Sequence, residues 1–132
     1  MYMDNKMYMD NKEWQDYTFD FERLEVYKIS LDYVHKVINL VRRLTSDLKF
    51  SLGEQLIRAA ISILNNLAEG TGKRSKKEKI RYYGYSLDSA RECIPMISIL
   101  FEQKQIPKET HESLRADCIK ICNMLGKLIG SI

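Results

Sequence analysis

The chain has 132 residues, 45% of them hydrophobic and 30% charged, which is typical of one globular domain with a buried core. Its net charge is +3, and the excess lies in residues 51–132, which contain 13 Lys or Arg against 9 Asp or Glu. No apolar run could span a membrane, the N-terminus does not resemble a signal peptide, and three cysteines argue against a disulfide framework, so we expect a cytoplasmic protein.

The first twelve residues are the hexapeptide MYMDNK written twice, and they have no apolar periodicity. We therefore expect residues 1–20 to form a flexible leader and residues 21–132 to form the folded domain. From Leu24 onward, apolar residues recur at spacings of three and four, which predicts a first helix that ends near Thr45.

A second helix is predicted from Leu52 to Glu69, with two apolar stripes that together cover about half of its circumference. This arc is wider than the roughly 100° that a surface helix needs, so the helix should contact neighbours on two sides. Ser51 and Glu54 match a capping box at its start, and Gly70 is expected to end it in a left-handed conformation.

A third helix is predicted after the TGKR turn, where Ser75 and Glu78 form a further capping box, and it should extend to about Gln103. We expect a bend at Pro95, because proline has no N–H to donate to the preceding turn. A fourth helix is predicted to open at Pro107, a residue favoured in the first turn.

Four amphipathic helices without a strand-like segment predict an all-α fold, an antiparallel four-helix bundle with up-down-up-down topology. The third helix has a second apolar line opposite its core stripe, which would face water in a monomer. We interpret this line as an oligomer interface formed by Tyr82, Tyr85, Cys93, Met96 and Leu100. The alternative is that these residues tuck under the chain termini or the first helix. We favour self-association, because the wide apolar arc of the second helix also needs a partner.

The run R-A-A-x-S-I-x-x-N-L-A-E-G, from Arg58 to Gly70, resembles the hallmark of the bacterial four-helix bundle family encoded in 23S rRNA intervening sequences. The L-E-V-Y-K opening at Leu24 and the S-x-K-E-x-x-R-Y stretch from Ser75 to Tyr82 resemble the same family. The chain departs from the family pattern at Asp88, where relatives tend to have glycine.

The resemblance implies a left-handed bundle that assembles into a ring, with a pentamer as the expected form. The fold is also similar to that of the accessory protein of diversity-generating retroelements, a basic pentamer that binds nucleic acid and a reverse transcriptase. This similarity is a reason to consider the charged residues. Likeness of fold does not by itself transfer function.

Between the second and third helices, six cations occur within nine residues, with one acidic residue among them. Such a cluster could bind the phosphates of RNA or DNA together with the free N–H groups of the helix start. The six residues are Lys73, Arg74, Lys76, Lys77, Lys79 and Arg81. The alternative is a solvated loop whose lysines keep the protein soluble, and the modest net charge fits that alternative.

Arg81 lies next to Tyr82, Tyr83 and Tyr85, and such a mixture of cation and aromatic residues could stack on unpaired bases. We expect packing instead, because Tyr83 lies on the core stripe and the other two lie on the interface line.

The second helix also aligns polar residues on one ridge, which could fix a ligand or bond to another subunit or to the loop between helices. We favour the structural role for this ridge of Arg58, Ser62, Asn65, Asn66 and Glu69.

No pattern in the chain is typical of a catalytic, cofactor or metal site. Glu54, Glu69 and Glu92 do not match the carboxylate pattern of di-iron bundles, and Cys118 with Cys122 offers two ligands where four are usual. We therefore predict a non-enzyme without cofactor or metal, a homo-oligomeric binding or scaffolding protein with RNA or DNA as its partner. The alternative is a structural adaptor that binds another protein and no nucleic acid. A membrane partner is not expected.

Overall fold

The computed structural model describes residues 16–132, so the MYMDNK repeat and most of the predicted leader lie outside the described residues. Four long helices occupy this part of the chain, and it contains no β-strand. They are α1 (Glu25–Val41), α2 (Glu54–Gly72), α3 (Lys76–Glu102) and α4 (Lys108–Gly130). Both α1 and α3 pack against α2 and against α4. The prediction of an all-α four-helix bundle is therefore confirmed.

The core lies between the four helices and takes side chains from each of them. Tyr33, Leu56, Ile97 and Ile121 each come from a different helix and are at most 1% exposed. Burial of one such side chain stabilises the fold by about 1.5–3 kcal/mol relative to an exposed position. Among the described helices, none is both long enough and apolar enough to cross a membrane.

The connection between α1 and α2 is helical. A short turn, Ser46–Leu48, continues as a π-helical turn, Lys49–Gly53, which leads directly into α2. Ser51 lies inside this helical segment, where its hydroxyl donates to the carbonyl four residues earlier at 2.6 Å. The predicted capping box at Ser51 and Glu54 is therefore wrong, because the backbone is already helical before α2 begins.

Gly70 does not end α2. The helix continues to Gly72, and no glycine among the described residues has a positive φ. Gly70 is buried, and a Cβ at this position would lie 2.8 Å from the ring of Tyr83. The prediction of a left-handed terminator is wrong, since this glycine instead allows α2 and α3 to approach each other closely.

The first helix ends at Val41, four residues before the predicted Thr45, whereas the predicted boundaries of α3 and the start of α4 agree closely with the structure. Ser75 is the N-cap of α3, and its Oγ accepts the backbone N–H of Glu78 at 3.1 Å. The helix continues through Pro95, where the expected bend stays a prediction. Pro107 is the N-cap of α4, one residue before the helix starts.

Two members of the predicted oligomer interface lie in the core of the single chain. Cys93 and Leu100 are both 0% exposed, so their assignment to an outward face is wrong. The physical reason is that α3 packs against both α2 and α4, and its apolar arc must cover two neighbours within one molecule. The 3-10 helix Asp20–Arg23 also contacts α2, so these four residues cover part of that helix.

Candidate functional site

The turn between α2 and α3 is fixed by hydrogen bonds around Thr71. The hydroxyl of Thr71 lies 2.9 Å from Tyr83 Oη, and its carbonyl accepts a hydrogen bond from Lys79 Nζ at 2.8 Å. Tyr83 is buried as predicted, so these contacts attach the turn to the core. Lys79, one of the six predicted phosphate ligands, thus stabilises the turn.

Lys73 and Arg81 also have partners within the chain. Lys73 Nζ lies 3.5 Å from Glu69 Oε2 and 4.8 Å from the centre of the Tyr82 ring. Arg81 Nε donates to Tyr85 Oη at 2.7 Å. This hydrogen bond raises the pKa of Arg81, although arginine is charged at neutral pH in any case.

Lys76 and Lys77 differ from these cations. Both are exposed, and neither makes a hydrogen bond or ion pair with any residue that the structure describes. They lie in the first turn of α3, where the helix dipole is positive and the first backbone N–H groups have no intrahelical acceptor. Cations are unfavourable at this end by about 0.3–1 kcal/mol each at exposed sites, unless an anion is bound. An anion at this position would interact with both lysines and with the free N–H groups.

Two tyrosines lie beside these cations on α3. Tyr82 is half-buried and Tyr85 is 39% exposed, and their rings meet edge to face with centres 5.4 Å apart. The side of α3 next to the basic turn therefore presents aromatic surface to solvent. Nothing in the apolar periodicity distinguishes Tyr85 from a packed residue, because its exposure depends on the register between α2 and α3.

The predicted polar ridge of α2 separates into two groups. Asn66 Nδ2 donates to the carbonyl and hydroxyl oxygens of Ser62 at 2.9 and 3.0 Å. Ser89 Oγ of α3 donates to the Ser62 hydroxyl at 2.8 Å, so these three residues join two helices of the same chain. Glu69 faces Lys73, whereas Arg58 and Asn65 are exposed.

Arg58 lines an open groove of about 300 Å³ between α2 and α3. Glu92 and Met96 of α3 form its other side, together with Gln55 from α2. The ridge predicted from the sequence did not include Gln55 or Glu92, and sequence spacing could not have placed them there, because the groove depends on which turns of the two helices face each other. The groove contains one cation and one carboxylate, whose charges cancel, so we do not expect it to favour an anionic ligand.

A second open groove, of about 510 Å³, lies at the C-terminal end of α2. Asn65, Glu69 and Lys73 line it, together with Ala68 and Gly72. This groove adjoins the basic turn, so a ligand held by the lysines has space beside α2.

The cysteines contribute to the core. Cys118 is 0% exposed, and its Sγ donates to Tyr33 Oη at 3.1 Å. Cys93 Sγ donates to the Ser89 carbonyl at 3.4 Å. Burial raises the pKa of Cys122, so this thiol is less reactive than an exposed one. These contacts agree with packing as the role of Cys118.

Comparison with known proteins identifies relatives in sequence and in structure. The sequence profile of the 23S rRNA-intervening sequence protein family matches residues 22–127. A crystal structure at 1.70 Å resolution, described as a protein with unknown function from the S23 ribosomal protein family of Bacteroides thetaiotaomicron, superposes with a TM-score of 0.74. The two sequences are 26% identical, and the match covers 80% of this chain and 95% of that one. No curated protein matches the chain.

Proposed function

The chain belongs to the 23S rRNA-intervening sequence protein family, and we propose that it is a non-enzymatic, cytoplasmic binding protein for the phosphate backbone of RNA or DNA. The observation that supports this proposal is the pair Lys76 and Lys77, exposed and without a partner in the described chain at the positive end of α3. The surrounding contacts of Thr71 and Lys79 hold the turn in place, so little backbone conformational entropy is lost when a phosphate binds.

Three further cations lie close to this pair. Lys73 and Arg81 interact with carboxylates at 3.5 and 3.6 Å, and such exposed pairs are worth about 0–1 kcal/mol. A phosphate can therefore replace these partners at low cost. Arg74 is exposed in the same turn and adds to the local positive potential. Binding by these groups would be tolerant of sequence, because phosphate contacts do not distinguish bases.

We further propose that the helices are antiparallel, with up-down-up-down topology, and that copies of the chain assemble, with a pentameric ring as the expected form. The antiparallel arrangement of α2 and α3 is supported by two hydrogen bonds between them. Thr71, late in α2, contacts Tyr83, early in α3, whereas Ser62, earlier in α2, contacts Ser89, later in α3. Self-association would use two of the apolar residues that remain at the surface of α3: half-buried Met96, from the predicted interface line, and Ile99, which is 46% exposed and was not part of that line. Assembly would bring several basic turns to one nucleic acid and raise the avidity.

The test is binding of a structured RNA at about 50 mM and about 200 mM salt, a range over which phosphate-driven binding weakens strongly. In the double variant Lys76→Ala/Lys77→Ala, we expect weaker binding and a salt slope that falls by about 2, one for each lost phosphate contact. The control is Lys108→Ala/Lys120→Ala, which removes two exposed lysines from α4 and should leave binding unchanged.

Two outcomes would contradict the proposal: no binding by the wild-type protein at low salt, or equal binding by both double variants. Either result would favour the alternative, a structural adaptor whose lysines only keep the protein soluble.

A further inference from the structure

We infer that the basic turn binds single-stranded nucleic acid in particular, with unpaired bases stacked on Tyr82 and Tyr85. This inference depends on the proposed function, since it assigns the kind of nucleic acid that the same surface binds. The surface in question, the tyrosine platform, consists of Tyr82, Tyr85, Lys73 and Arg81.

The platform pairs each aromatic ring with one cation. Lys73 Nζ lies 4.8 Å from the centre of the Tyr82 ring, and Arg81 Cζ lies 5.7 Å from the centre of the Tyr85 ring. The ring planes are inclined at 81°, so the edge of one ring covers at most one face of the other. Tyr85 is 39% exposed, so part of its ring is open to a base, whereas the half-buried Tyr82 ring already has Lys73 over one face.

The side chains of the platform are already held in position before a ligand binds. The 2.7 Å hydrogen bond from Arg81 to the Tyr85 hydroxyl restricts both long side chains, and Lys73 is restrained between Glu69 and Tyr82. Stacking of a base on Tyr85 therefore costs little additional side-chain entropy. A base that displaces Lys73 from the Tyr82 ring leaves its ammonium group available to a phosphate of the same strand.

The platform and the free lysines lie on the same helix at a suitable separation. About 12 Å of α3 separates Lys77 from Tyr85, at ~1.5 Å per residue. A short single strand can thus contact the lysines with its phosphates and the tyrosines with its bases. A duplex can offer phosphates to the lysines, but its bases are stacked on each other and present no free face.

A second exposed cation–aromatic pair, on another part of the molecule, provides a control. Phe50 is 68% exposed, and Lys49 Nζ lies 5.9 Å from the centre of its ring. This cation–aromatic pair precedes α2, whereas the platform lies beside the last turns of α2, roughly 25 Å away at the rise of an α-helix. It therefore matches the platform in chemistry but not in location.

The experiment compares a fluorescent single strand of about 12 nucleotides, as RNA and as DNA, with the same strand annealed to its complement. In Tyr85→Ala we expect single-strand affinity to fall about 5- to 150-fold, the loss expected for one stacked base, while duplex affinity changes by less than about 2-fold. Tyr85→Phe retains the ring and should keep most of the single-strand affinity, and Phe50→Ala should keep all of it. Circular dichroism of each variant verifies that the helices are retained.

The inference is overturned if Tyr85→Ala weakens single strand and duplex equally, or weakens neither, while Lys76→Ala/Lys77→Ala still weakens both. That result would leave the proposed phosphate binding intact. If the wild-type protein binds neither probe at low salt, the proposed function itself fails, and the inference fails with it.

Discussion

Tyr33 places a phenol group in the middle of the apolar core. It is 0% exposed, and its hydroxyl oxygen accepts a hydrogen bond from the Cys118 thiol. Burial raises the pKa of Tyr33 above its ordinary value of 10.0, because a phenolate cannot be solvated there. The folded protein therefore keeps this proton at pH values where an unfolded chain loses it.

This difference predicts a loss of stability in alkaline solution. Below the ordinary tyrosine pKa of 10.0, Tyr33 is protonated in both states and its full contribution to stability is present. As the pH rises above that value, the unfolded chain releases the proton, and the free energy of unfolding should fall by up to about 1.4 kcal/mol per pH unit. Urea unfolding of the wild type and of Tyr33→Phe as a function of pH measures this contribution.

The variant should show a shallower decline, since the other tyrosines and the cysteines are common to both proteins. Parallel curves for the two proteins above that pH would mean that Tyr33 is solvated in the folded state.

At the scale of single residues, the sequence predicts side-chain roles only where one neighbour decides them. Ser75 caps α3 through a contact three residues away, so the N-cap half of the predicted capping box is confirmed, whereas the Glu78 carboxylate lies 3.6 Å from Arg81. Gly70 matched a local helix-end signal, but its actual role depends on Tyr83, which approaches from another helix. The exposure of Tyr85 likewise depends on how α2 and α3 are aligned, which no local pattern contains.

At the scale of the helices, the turn after α3 contains a left-handed backbone conformation at a residue other than glycine. Lys104 has a φ of 58° and is the one non-glycine residue with positive φ among the described residues. The N–H of Gln105 donates to the Leu100 carbonyl at 2.9 Å, and that of Lys104 donates to Phe101 at 3.0 Å. These two bonds form a Schellman motif, in which glycine is usual at the position of Lys104.

Lys104→Gly should therefore stabilise the protein. A left-handed conformation costs a residue with a Cβ roughly 1–2 kcal/mol, and the greater freedom of glycine in the unfolded chain offsets part of this gain. We expect a net gain of about 0.5–1 kcal/mol, or a rise of a few degrees in the thermal midpoint. Lys104→Ala removes the same charge but keeps the strain, so it should change stability much less. Equal effects of the two variants would show that loss of the lysine charge causes the change.

Helix number and most helix boundaries follow from apolar spacing, because amphipathic helices of this length have one clear period. The junction before α2 cannot be predicted in this way. Ser51 and Glu54 match the sequence of a capping box, but tertiary packing keeps the backbone helical at Ser51. A Cβ at Gly53 would lie 2.7 Å from Val41 Cγ1, so the π-helical turn fits closely against the end of α1. Such a turn cannot be predicted without the helix on which it packs.

At the scale of the whole molecule, the wide apolar arcs of α2 and α3 mostly pack against other helices of the same chain. In a four-helix bundle each helix has two neighbours, so an arc of about half a circumference is not by itself surplus. Cys93 and Leu100 lie on the part of this arc that faces the core. Of the predicted interface line, Tyr82, Tyr85 and Met96 remain at the surface of α3, so fewer residues are available for self-association than the sequence indicated. Ile99, which is 46% exposed and was not part of that line, adds to Met96.

Substitution of adjacent residues on α3 separates assembly from folding. Ile99→Asp introduces a charge at a surface position that is 46% exposed, so the helical content should stay unchanged while the proposed assembly dissociates towards the 15.5 kDa monomer. Leu100→Asp places a charge in the core, where an unpaired carboxylate costs several kcal/mol, and this variant should unfold. Light scattering and circular dichroism on both proteins measure the two effects.

Ile119→Asp serves as the matched control, because Ile119 is 50% exposed on α4 and lies outside the proposed contact. If Ile119→Asp dissociates the assembly and Ile99→Asp does not, the contact between copies is on α4 rather than α3. If the wild-type protein is already a monomer at micromolar concentration, the exposed apolar residues are too few to hold copies together. Binding of nucleic acid would then depend on one basic turn per molecule, without any gain from avidity.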